Sequence, residues 1–472
     1  MFQKYSVMFA LTGIWMWTTT TAADADLLVF GTDSSKSTEL SDLVSKNASA
    51  QSAIAAFVKG DLLECERLLT EASKNSTDLP AVNVMISRLL MANGKYSEAL
   101  TRLEFYLMKG TKDAEAHATL GEIAYLSGRY SDAWLQFREA FTIVNDPSTK
   151  YSQARKDAFI TQLLRLRAQT AEQRQDIESA EKLYKELEKN LPKAGFPLVA
   201  QARILISRSE TSKGAELLRR ARKLDETVPQ PELQIALMLA QNEKNYAETE
   251  KWFQDGIKAT ETVTNLNWAE YMKWLLTKGR AKEVRFFFQK APAKFQSDRL
   301  LRFLDALALR CLGKADEAEK NFLVLHRENT DDIDTSDQLA LIWAESNDPS
   351  KKKKAQEMSQ ANLRRAQEDE NAIATVGWVE LKLGRLDEAE KYFGKLTARG
   401  TGSPQTIYYV ACLLEARNRK DEAIILYKKA LELPGLFVQR DEIAKLYDGN
   451  KKPAAKDSLS PAKAAAPKEK AK

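Results

Sequence analysis

Histidine is almost missing from this 472-residue chain, which has only His117 and His326. They lie far apart in sequence, so no paired-imidazole metal site or proton relay is expected. The three cysteines, Cys65, Cys311 and Cys412, show neither zinc spacing nor a redox pair and read as small buried hydrophobes. There is no phosphate-cradling GxxxxGK[ST] and no GxSxG nucleophile elbow. No apolar run approaches the ~20 residues needed to cross a bilayer as a helix. Strand-type alternation is scarce. Carboxylate chemistry needs no motif visible in one sequence and stays open, but nothing argues for it. The reading is therefore no enzyme, no cofactor and no metal.

Charge is plentiful, at 29% of residues, with a net +5. Its location matters more than its sum. Lys451 to Lys472 carries seven Lys against Asp457 and Glu469, which leaves the rest close to neutral. A nucleic-acid binder needs a basic stripe on its folded surface, so nucleic acid is not an expected partner. A chain this long rarely builds one globular core and normally divides.

A division is written into the stretch Leu120 to Pro147. Gly121, Ala124 and Ala133 are small, Phe137 is large, Ala140 is small again, and Gly128 marks a turn. This describes two short helices in close approach, with Phe137 filling the space between them. The pattern recurs. Anchors equivalent to Ala133 fall at Cys65, Ala99, Ala180, Gly214, Thr249, Val284, Ala318, Ala355, Ala389 and Ala423. Four residues after them stand large apolar side chains such as Leu69, Leu103, Tyr184, Phe253, Phe322, Phe393 and Tyr427, with Ser359 the exception. Twelve residues before them most positions are small, among them Ala53, Ser87, Ala168, Ala202, Ala306, Gly377 and Ala411. Most steps lie near the ~34-residue period of a helix-turn-helix repeat.

In residue type, order and period the chain resembles the tetratricopeptide repeat (TPR) family, as an exported bacterial member, over nearly its whole length. The departures are mild: His117 stands at the family's Trp position and Ala124 at its Tyr. The resemblance implies an all-α fold, an α-α superhelix or TPR solenoid of about eleven helix-turn-helix repeats. It also implies a function: a non-catalytic scaffold or adaptor for proteins or peptides, bound on a concave surface lined by the first helix of each repeat. Nine positions into the repeats that surface would carry Arg88, Glu122, Arg203, Met238, Lys273 and Trp378. Of these, Arg88, Glu122, Arg203, Lys273 and Trp378 are the candidate partner-binding residues, with Arg and Trp favoured because they dominate interface energies. The Lys/Asn clamp that holds a C-terminal carboxylate in some members is not reproduced, since Val84 with Arg88, or Ala118 with Glu122, stand at its places. Two other readings remain: an envelope-associated protein whose Lys-rich tail holds anionic wall polymer or membrane, and a recognition arm of an enzyme complex.

The flanks have their own character. Residues 1–25 read as a signal peptide: Lys4, an apolar run from Val7 to Trp17, and Ala23-x-Ala25 as a cleavage site. An uncleaved anchor is the alternative. Export would place the mature chain in the periplasm or outside the cell. Residues 26–46 read as a linker, 47–447 as the solenoid closed by a C-terminal capping helix, and 448–472 as a disordered Lys/Ala/Pro tail.

Three places in the repeats are irregular. Between Ala133 and Ala180 the step swells around 146–157, which requires either an extended first helix or a short extra one. In the ninth repeat, Asn347 to Lys354 reads as a turn with its four lysines in a solvated loop, and Ser359 fits only if the register slips to bring Met358 and Ala361 inward. In the seventh, Phe286, Phe287 and Phe288 cannot all face inward, because neighbours on a helix are ~100° apart.

Overall fold

The computed structural model describes residues 47–75, 79–149, 151–242, 245–258, 264–400 and 402–447. The signal segment 1–25, the linker 26–46 and the tail 448–472 lie outside the described residues. Among the described residues there are 24 helices and no strands. The chain divides into two compact units at 252/253.

The helices pair as repeats. Repeats one to six are α1 (Ala48–Val58) with α2 (Leu62–Asn75), α3 (Val82–Ala92) with α4 (Tyr96–Leu107), α5 (Ala114–Leu126) with α6 (Tyr130–Asn145), α7 (Gln153–Gln173) with α8 (Ile177–Asn190), α9 (Phe196–Ser207) with α10 (Thr211–Leu224), and α11 (Pro231–Asn242) with α12 (Tyr246–Lys258). Repeat seven is α13 (Asn265–Thr277) with α14 (Ala281–Lys290), followed by a short α15 (Ala293–Gln296) that the sequence pattern does not announce. Repeats eight to eleven are α16 (Arg299–Cys311) with α17 (Ala315–Glu328), α18 (Ile333–Glu345) with α19 (Pro349–Arg365), α20 (Glu370–Lys382) with α21 (Leu386–Ala398), and α22 (Pro404–Ala416) with α23 (Lys420–Glu432). The last helix, α24 (Arg440–Tyr447), has no partner within a repeat.

The small-large pattern is what packs each pair. A Cβ placed on Gly121 would stand 2.5 Å from Phe137 Cε1, and one on Gly377 would stand 2.6 Å from Phe393 Cε1. The bare glycine and the aromatic ring are thus one contact, made at twelve residues before and four residues after the anchor. All eleven anchors, from Cys65 to Ala423, are buried. Each fully buried ring such as Phe137 or Phe322 contributes roughly 1.5–3 kcal/mol relative to exposure. The turns between paired helices repeat too. Gly128 adopts φ 72°, and the equivalent residues Gln175 (φ 63°), Ser209 (φ 66°) and Asn418 (φ 61°) take the same left-handed conformation without being glycine. In the unit up to Trp252 the buried side chains fall into successive clusters rather than one core, as neighbour-only stacking requires. First helices also pack on the first helix of the next repeat, as α3 does on α5, α18 on α20 and α20 on α22.

The irregular places resolve as follows. The enlarged step near 146–157 is an extended first helix: α7 runs 21 residues from the Ser152 cap. In repeat nine the expected loop is a helix. Asp348 accepts from Ser350 N–H at 2.8 Å, Pro349 takes the first helical position, and all four lysines lie inside α19. A proline suits that position because the first helical N–H groups have no partner anyway. Lys351 is held by Glu319 at 2.6 Å. The register does not slip: Ser359 stays buried at its aromatic position, with its hydroxyl donating to the Gln356 carbonyl, while Met358 remains half-exposed. In repeat seven, Phe287 packs edge-on against Tyr271 at 4.9 Å and Phe286 is 55% exposed.

Candidate binding face

The first helices carry a polar ladder. In repeats two and three, the Arg88 guanidinium lies 3.5 Å from the Glu122 carboxylate. In repeats four and five, Arg203 grips Glu172 with two N–H donors at 2.8 and 2.7 Å, and the Tyr184 hydroxyl donates to the same carboxylate at 2.9 Å. In repeats eight to ten, Arg310 donates to Gln338 at 2.8 Å and lies 3.4 Å from Glu345, which also accepts from Trp378 Nε1 at 3.2 Å. Each link joins adjacent repeats. The forked Arg203–Glu172 geometry is the kind that holds two side chains in one orientation.

The five candidate residues are not brought into one patch. Arg88 and Glu122 form a pair, and Arg88 is only 8% exposed. Burial lowers the Arg88 guanidinium and raises the Glu122 carboxyl, each opposed by the other's charge. Arg203 is the most open, with 45% of its side chain exposed. Lys273 is tied to Glu270 on its own helix at 2.8 Å. Trp378 corrects the expectation outright. It is 1% exposed, its ring stacked on Tyr409 at 4.2 Å with Lys382 over it at 4.3 Å. Its ring is spent on packing between repeats and is not presented to a partner. Met238 is half-buried.

The ladder's other members, Glu172, Arg310 and Glu345, are not among the candidate positions. Glu172 and Arg310 stand one turn further along their helices, three residues on, where the same period also places Tyr125 and Glu415.

A second cluster is structural. The extended α7 brings Arg155 back onto α5, where it donates to Glu115 at 2.7 Å with both side chains buried. Burial raises the Glu115 carboxyl against the opposing field of Arg155. Arg155 also stacks on Tyr151 at 4.5 Å. The enlarged step thus supplies a buried ion pair between repeats three and four. His117 is half-buried, its Nδ1 2.8 Å from Gln136 Oε1, and His326 Nδ1 lies 3.4 Å from Ser336 Oγ. Among the described residues no group of three or more His, Cys, Asp or Glu is placed to hold a metal ion, and no helix is long and apolar enough to cross a membrane.

Paired helices in register, stacked first helix on first helix and presenting a polar face, define a helix-hairpin repeat array, a class that generally serves as a scaffold for protein–protein interaction. A tetratricopeptide repeat family model matches residues 84–146 and 377–435, in repeats two to three and ten to eleven. No curated protein matches it significantly. Solved structures similar to it include a tetratricopeptide repeat protein from Parabacteroides merdae, 11% identical over 54% of this chain and 97% of that one, with a TM-score of 0.40. Yeast Tom70 is 13% identical over 85% of this chain and 94% of its own, at 0.35. A structure of the APC/C hetero-tetramer Cut9-Hcn1 is 12% identical over 80% and 77%, at 0.33. Likeness at this level says nothing about partners.

Proposed function

We propose that this chain is an exported, non-catalytic scaffold that binds protein or peptide partners along the first-helix face of its repeats. The observation that carries this reading is the polar ladder. Charged side chains of successive first helices hold one another in place, and groups already held lose less freedom when a partner arrives. Arg203 of the ladder, and Lys273 at the equivalent first-helix position, are the residues we assign to partner contact, because Arg88 and Trp378 are buried. Export rests on the residue pattern of 1–25.

The mature chain, immobilised with and without residues 451–472, is compared with Arg203→Glu and Lys273→Glu variants for the proteins it retains. Retention lost in the face variants and kept without the tail is expected. Retention unchanged by both substitutions removes the face from the reading, and retention that needs the tail favours an anionic-surface contact instead. Cell fractionation with N-terminal sequencing tests export, with Asp26 as the expected first residue. A chain recovered in the cytoplasm with Met1 intact overturns it.

A further inference from the structure

Repeat eleven is covered by the chain's own end. Phe437 is buried with its ring centroid 5.2 Å from that of Tyr408 on α22. The Val438 N–H donates to Gln405 Oε1 at 2.8 Å, and Gln405 Nε2 donates to Gln439 Oε1 at 2.8 Å. Ile443 is buried, and Tyr447 stacks on Tyr427 of α23 at 5.1 Å. Arg440 donates to the Leu431 and Leu433 carbonyls, both at 2.9 Å, which folds the segment back over the end of α23. The same segment reaches repeat seven: Arg440 Cδ and Asp441 Oδ1 would each stand 3.7 Å from a Cβ on Gly279. Burial, with the Asp441 carboxylate adding to it and Arg310 opposing, pushes the Cys311 thiol at the end of α16 up to about 11.

The outer face of α24 is polar apart from Leu446, with Asp441, Glu442 and Lys445 exposed, as a solenoid's terminal element requires. Eight residues are too few, however, for a helix to persist without its docking contacts, so α24 is held only by what it touches. An element so held opens at lower cost than a whole repeat.

We propose that the α22–α23 face bearing Gln405, Tyr408 and Tyr427 is a docking site for a short helical segment that carries a Phe, a Gln two residues on and an aliphatic residue four further on, and that residues 436–447 occupy it as an intramolecular ligand that such a partner displaces. The proposal rests on the scaffold reading for its partner, but the occupancy is tested without one.

In the unaltered full chain, exchange of the Val438 amide, which donates to Gln405 Oε1, reports the opening and should be faster than exchange inside α22 by about tenfold or more, because only the segment has to leave. A Val438 amide as protected as those inside α22 overturns the displacement. In the full-length Ile443→Glu chain, Val438 exchange should rise about tenfold or more while the α22 amides keep their protection. An unchanged Val438 rate with the variant folded also overturns the occupancy. A fluorescent peptide spanning Pro434–Tyr447 is then titrated against both chains. It should bind the Ile443→Glu chain about tenfold or more tightly than the unaltered chain, whose site is already filled, and the same peptide carrying Ile443→Glu should not bind. Absence of binding to the opened chain overturns the docking site. Loss of partner retention in the Arg203 and Lys273 variants bears on the scaffold reading alone, so the two failures are distinguishable.

Discussion

Replacing Asp337 by Asn should make the protein more stable at pH 8 and much less so at pH 5. Asp337 lies on α18, buried between repeats nine and ten, and its Oδ1 accepts from Asn362 Nδ2 at 2.7 Å. Burial raises its carboxyl from the ordinary 3.8 to about 7; the Asn362 and Thr375 hydrogen bonds oppose this, and the Asp334 and Asp369 carboxylates add to it. For a raised acid the folded state holds the proton that the unfolded chain releases, so stability falls as pH rises between 3.8 and about 7 and is flat above. The full penalty of ionised Asp337 is about 4 kcal/mol, at about 1.4 kcal/mol per pH unit. Asparagine has the same shape, never ionises and can still accept from Asn362. The gain from Asp337→Asn should therefore be about 2–3 kcal/mol larger at pH 8 than at pH 5. Urea unfolding at the two pH values, together with amide exchange in α18 and α20, measures it. Local exchange is needed because stacked repeats open in parts. A gain that is equal at both pH values within about 0.5 kcal/mol, the usual limit for separating stability effects, refutes the reasoning.

Three further substitutions follow from contacts already described. Arg155→Ala should cost about 3–5 kcal/mol by stranding the buried Glu115 carboxylate, while Glu115→Leu with Arg155→Met should be close to neutral; unfolding midpoints of the single and double variants decide it. Gly121→Ala should destabilise by about 1–3 kcal/mol through overlap with the Phe137 ring, after allowing up to about 1 kcal/mol for the better helix former. A gain in thermal stability would show that the ring yields. Gln175→Gly should stabilise by less than about 1 kcal/mol, because a left-handed turn costs a side chain more than it costs glycine, and a lowered melting temperature would contradict this.

Much of the fold can be read locally. The anchors and the positions twelve before and four after meet inside single helix pairs, so the glycine opposite Phe137 and the one opposite Phe393 are visible in the order of residues. Ser359 shows the limit of that reading. Its neighbours keep the register, so one small polar residue is absorbed with its hydroxyl bonded to the backbone. In repeat nine Asn-Asp-Pro signals a turn, yet Asp348 caps and Pro349 starts a helix that takes in all four lysines. All five candidate residues, Arg88, Glu122, Arg203, Lys273 and Trp378, lie on first helices, but Arg88 and Trp378 are buried. The exposure of Trp378 depends on Tyr409 and Lys382, one from the following repeat and one from its own helix.

The sequence by itself determined the period, the helix pairs and the residues that fill each pair, because those contacts lie within one repeat and are enforced by the sizes of neighbouring side chains. Only the tertiary structure decided which charges on successive first helices meet, how the extended α7 returns Arg155 to Glu115, and that the final helix touches the turn at Gly279. Those contacts depend on the small rotation between one repeat and the next, summed over several repeats, and no single repeat's residues encode that sum.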